Sequence, residues 1–179
     1  MYLQEGRHMR QIYIILTDTG TILSRIIKLF MKDEYAHVSI ALDKKLRKMY
    51  SFGRLNPYNP FYGGFVHEHI NRGTFKRFKK TKAKIMALNV NEEQYKKVEQ
   101  VIKKVKKDRK QYKFNVFGLF AIYFKLKVKR KKCFYCAEFV KYVTEESDIK
   151  LNLPELIRPE DFKKITTGTV IYKGLLKEY

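Results

Sequence analysis

A chain of 179 residues, 45% of them hydrophobic, is long enough to bury one core and too apolar to be a disordered tail. Its 39 Lys+Arg against 18 Asp+Glu leave a net charge of +21, a field that draws polyanions such as nucleic acid, anionic lipid or anionic cell-wall polymers, unless it reflects composition bias alone. No run is apolar enough to form a transmembrane segment, residues 1–10 lack the apolar stretch of a signal peptide, and two cysteines make no disulfide framework; the expectation is a cytoplasmic protein with reduced thiols.

Residues 1–10 read as a leader outside the fold, and residues 11–179 as a single domain. Ile12-Tyr13-Ile14-Ile15-Leu16 is the apolar, β-branched run of a buried strand. Thr17 to Thr21 supplies turn and capping residues, and Ile22, Leu23, Ile26, Ile27 and Phe30 recur at helical spacing. His37 to Asp43 and Lys48 to Arg54 predict two more strands, joined by a hairpin near Asp43-Lys44-Lys45. Leu55 to Gly64 is rich in Asn, Pro, Gly and aromatic residues and reads as an ordered aromatic loop that continues neither regular structure. Phe65 to Ile70 follows as a short strand and Lys84 to Val90 as a stronger one.

Asn91-Glu92-Glu93-Gln94 then opens a helix, with Tyr95, Val98, Val101, Ile102, Val105 and Tyr112 on one stripe and lysines on the other face. Asn115 to Phe124 is apolar enough for a short buried helix, and Lys125 to Lys132 is a basic connection. A helix from Cys136 to about Thr144 comes next; Pro154 and Pro159 punctuate a loop, and Thr169 to Tyr172 is a last strand. The order of elements is that of an α+β protein, an antiparallel sheet packed against helices.

Tyr135-Cys136-Ala137-Glu138-Phe139-Val140 sets a thiol at the first turn of that helix, where the dipole and unpaired backbone N–H groups favour a thiolate. Nucleophilic catalysis by cysteine needs a base and an oxyanion donor. His37, heading the β-prone run Tyr35-Ala36-His37-Val38-Ser39-Ile40-Ala41-Leu42, is the candidate base. A free cysteine on an apolar helix face is more often a small buried hydrophobe, so the pair gains its weight from the local patterns.

Tyr-Ala-His-Val-Ser-Ile-Ala-Leu followed by Phe-Tyr-Cys-Ala-Glu-Phe-Val resembles the circularly permuted branch of the papain-like, NlpC-type superfamily, which includes YiiX- and YaeF-like proteins and relatives of lecithin retinol acyltransferase. The similarity spans roughly Ile12 to Val143, with the histidine strand before the cysteine helix. It implies a thiol-dependent hydrolase or acyltransferase that acts on an amide or ester, of the peptidoglycan-peptide or lipid type, with no cofactor and no metal. Cys136 would be the nucleophile, His37 the base, and the Cys136 N–H part of the oxyanion hole. The orienting residue of the family lies on the strand after the histidine, which points to Ser51, where a His, Glu or Gln would be usual. Glu68 is the alternative. Tyr50, Arg54 and Tyr135 are the expected substrate-binding residues, with Arg54 meeting an anionic group.

Two other readings compete. A non-catalytic basic module could bind nucleic acid or anionic lipid through the lysine-rich helix face or the aromatic stretch Tyr58 to Phe65 with its neighbours Lys76, Arg77, Lys79 and Lys80. Cys133 and Cys136 with His67 and His69 could in arithmetic hold a zinc ion, although Phe134 and Tyr135 do not make a zinc-knuckle turn.

Overall fold

Ile12 to Leu16 form the centre of strand β1 (Arg10–Asp18), and their continuous apolar character reflects burial on both faces of a sheet. In the computed structural model, residues 9–20, 25, 33–56, 59–115, 118, 121, 126 and 131–179 are described. All but residue 25 of the expected helix over 22–30, and most of the segments 115–124 and 125–132, lie outside the described residues.

β1 pairs with β2 (His37–Ala41) on one side and β5 (Lys82–Val90) on the other. β3 (Met49–Asn56), β4 (Asn59–Glu68) and β8 (Gly168–Leu175) complete a six-stranded sheet in the order β4-β3-β2-β1-β5-β8, with every pairing antiparallel. A second, two-stranded parallel sheet joins β6 (Lys113–Phe114) to β7 (Cys133–Phe134).

The period of two along each strand divides the apolar residues between two cores. Ile12, Ile14, Leu16, Val38, Ile40, Phe52 and Phe65 pack with Val98, Ile102 and Val105 of helix α2 (Glu92–Lys107) and with Phe139, Val140 and Val143 of helix α3 (Cys136–Glu145). Tyr13, Ile15, Ala41, Met49, Ile85 and Ala87 meet Leu46, Leu176 and Phe75 of the short helix α1 (Gly73–Arg77). Helix α2 starts as its sequence demands: Gln94 N–H donates to Asn91 Oδ1 at 2.8 Å while Asn91 N–H donates to Gln94 Oε1 at 3.1 Å. The architecture is α+β, with a mainly antiparallel sheet.

The stretch from Leu55 to Gly64 differs from its expectation. Its described residues, 55–56 and 59–64, belong to strands: β3 and β4 pair antiparallel, with Phe52, Gly53 and Arg54 opposite Phe65, Gly64 and Gly63. Proline is tolerated in β4 because that strand is the edge of the sheet, where a missing N–H forfeits no ladder bond on the open side. Gly63 is required by packing, since a Cβ there would stand 2.6 Å from Phe114 Cγ. The breakers in the sequence thus mark an edge and a close approach. Among the described residues, no helix is long and apolar enough to cross a membrane.

Candidate functional site

Cys136 is the first residue of α3, reached directly from β7. The first-turn carboxylate of Glu138 accepts the Tyr135 N–H at 3.1 Å, which fixes the entry of the chain into the helix. The Cys136 N–H belongs to the first turn, whose amides have no partner within the helix. The thiol is largely buried against the main core, whereas Cys133, on β7, is partly exposed.

His37 begins β2, and its Nε2 lies 3.0 Å from Glu68 Oε1, with side-chain exposures of 20% and 11%. Ser39, two residues along the same strand, donates its hydroxyl to the other carboxylate oxygen, Glu68 Oε2. The Cys136 thiol also interacts with the His37 ring, in the sense that favours the protonated ring. Burial alone would push the ring's pKa down, but the charge of Glu68 and then the interaction with Cys136 outweigh it, and the pKa rises to about 10. Glu68 moves the opposite way: burial would raise its pKa, and His37, Ser39 and Ser51 together hold it below the usual carboxylate value. Gly53 makes room for the ring, since a Cβ there would come within 3.3 Å of His37 Cε1 and of Ser51 Oγ.

Glu68, rather than Ser51, therefore stands at the His37 ring. Ser51 is fully buried beside the same carboxylate, but its Oγ has no partner in good hydrogen-bond geometry among the described residues. Register explains the exchange: Ser51 lies opposite Val66, and Glu68 lies two residues further along β4, opposite Met49, rather than in a solvated loop. Tyr50 and Tyr135 also depart from their expected places. The Tyr50 ring is stacked on Phe65 and His67, with centroids 5.8 and 4.8 Å away, and Tyr135 is 2% exposed with its hydroxyl donating to the Ile157 carbonyl at 2.8 Å. Both are core residues. Arg54 is half-buried on β3, with its guanidinium 5.7 Å from the Phe78 ring centroid.

The His67 ring bonds to the Arg47 carbonyl at 2.7 Å through Nε2, and the His67 and His69 rings stand 4.4 Å apart. Among the described residues, no group of three or more His, Cys, Asp or Glu side chains is disposed to hold a metal ion. The zinc arrangement is not assembled there.

One element of the site was invisible in the pattern. A 3₁₀ turn over Pro159–Lys164 carries Glu160, whose Oε2 accepts the backbone N–H groups of Glu34 at 3.1 Å and Tyr35 at 3.2 Å, just before His37. Arg158 pairs with Asp33 and Asp161, both at 3.3 Å, and Ile157 holds Tyr135, the neighbour of Cys136. A single segment thus braces the chain next to both halves of the Cys–His pair. Pro159 followed by Glu160 and Asp161 is a helix-start signature that could have flagged the turn, but its tertiary partners have no local signal.

No protein-family model, no curated protein and no solved structure matches the chain.

Proposed function

We propose that the chain is a cysteine hydrolase or acyltransferase of the permuted papain-like, NlpC-type class, acting on an amide or ester in the cytoplasm without a cofactor. The observation that carries this reading is the His37 ring, shared between a thiol at a helix N-terminus and a buried carboxylate. The acid-base logic follows from that order. With the proton of the pair held on His37, the Cys136 sulfur attacks the substrate carbonyl carbon while the carbonyl π pair moves to oxygen. The Cys136 N–H faces that oxyanion; one such donor is worth about 2.7–4 kcal/mol where measured. The intermediate collapses to a thioester as the leaving nitrogen or oxygen takes the proton from His37. Water, or an acceptor alcohol or amine, then gives His37 a proton, attacks the thioester and expels the thiolate. Glu68 stabilises the imidazolium in each half of the cycle.

The test is turnover of 4-nitrophenyl acetate with mass analysis of the quenched protein. A burst of nitrophenolate and an acyl group on the Cys136 peptide are expected, both lost in Cys136→Ala. Hydrolysis that survives this substitution overturns the assignment. A second reading has its own support in the exposed lysines of α2, Lys96, Lys103, Lys104, Lys106 and Lys107. Under it the chain is a basic module for nucleic acid or anionic lipid, with an idle thiol.

A further inference from the structure

With 39 Lys+Arg and 18 Asp+Glu, most cations in this chain have no carboxylate to pair with, and on the surface water serves them well. Arg54 is a different case. It is half-buried, and its guanidinium makes no hydrogen bond or ion pair among the described residues. Its neighbours are the Phe78 ring, which supports a cation over its face without accepting its N–H groups, and the more distant charge of Glu68. Guanidinium N–H donors partly withdrawn from water without an acceptor carry a desolvation cost that a bound anion would remove. Arg54 also follows Gly53, the residue whose missing side chain leaves room for His37 Cε1. An unsatisfied fork of donors therefore lies within the field of the Glu68 carboxylate that meets His37.

We propose that Arg54 receives a carboxylate on the substrate, so that the site takes amides or esters whose acyl part carries a negative charge. This rests on the cysteine-enzyme reading above and narrows its substrate class. The fork can bind a carboxylate or a phosphate in two parallel bonds, and the Glu68 charge nearby favours the carboxylate because it penalises a dianion more than a monoanion.

Iodoacetate and iodoacetamide test this without knowledge of the substrate. Each alkylates a thiolate by forming an S–C bond as iodide leaves, and only the first carries a carboxylate. The ratio of the two rates at Cys136, read by peptide mapping, should fall about tenfold in Arg54→Gln, equivalent to ~1.4 kcal/mol. Arg54→Lys should recover part of the ratio, which also guards against a glutamine variant that folds poorly. Lys150→Gln, at an exposed cation beyond α3, should keep the wild-type ratio, separating Arg54 from the general field of the protein. An unchanged ratio in Arg54→Gln, or an equal fall in Lys150→Gln, overturns the proposal. If Cys136 instead reacts with iodoacetamide no faster than Cys133, it is the enzyme reading that fails.

Discussion

The His37 ring and the Glu68 carboxylate raise and lower each other's pKa, and the consequences run in opposite directions with pH. His37, moved from 6.5 up to about 10, adds stability in full below its unfolded value and loses it as pH rises through about 10. Glu68, held below 4.5, adds stability above that value and loses it as pH falls through its lowered one. The pair is therefore worth most between the two unfolded values, and a charged hydrogen bond of this type contributes about 1.5–3 kcal/mol. Glu68→Gln should bring the His37 titration, followed by imidazole NMR, down toward its ordinary range, and should slow acyl transfer on the order of 10²-fold. Ser51→Ala is the contrasting case. Its hydroxyl is buried without a partner in good geometry among the described residues, so removal should leave activity within a few-fold of wild type and the melting temperature unchanged or slightly higher. A loss at Ser51 as large as that at Glu68 would return the orienting role to the serine.

Among the elements, the hairpin of β3 and β4 and the turn at Pro159–Lys164 hold the site together. Gly63→Ala would drive a methyl into Phe114 and disturb β6, the partner of the strand that leads into Cys136; a destabilisation of about 1–3 kcal/mol is expected by thermal or denaturant unfolding. Glu160→Ala leaves the amides of Glu34 and Tyr35 without their acceptor, which costs about 1–3 kcal/mol and should slow alkylation of Cys136. Glu160→Gln keeps an acceptor oxygen and should restore much of both. Local signals made β1 and α2 legible, the first through its apolar run and the second through the Asn91–Gln94 box. The hairpin was not, because Asn, Pro and Gly carry the same local meaning in a loop as in an edge strand pressed against an aromatic ring. Glu68 could be named from the sequence only as the alternative to Ser51, for a related reason. Its meeting with His37, 31 residues earlier, depends on the register of a strand that the sequence had divided into loop and fragment.

Over the whole molecule the net charge of +21 is the property most open to a role apart from the Cys–His pair. Lys97, which the sequence placed on the free basic face, is engaged with Asp148 at 2.6 Å and Glu93 at 2.8 Å. Lys96, Lys103 and Lys107 are exposed cations of α2. If they meet a polyanion, affinity for DNA, RNA or anionic vesicles should fall linearly in a log-log plot against salt. Replacing these three by glutamine should reduce the slope by roughly 0.7–0.9 for each phosphate no longer neutralised. Absence of binding to all three at low salt would assign the charge to composition alone.

The central claim is that His37 activates Cys136, and the rate of alkylation at each cysteine measures it most directly. Wild-type and His37→Ala proteins would be treated with iodoacetamide near pH 7 and mapped over time, with circular dichroism as a check that both are folded. The account predicts that Cys136 is modified well before the more exposed Cys133, and that His37→Ala slows Cys136 at least tenfold while Cys133 keeps its rate. Faster labelling of Cys133 in the folded wild-type protein, or a Cys136 rate indifferent to His37, would contradict it.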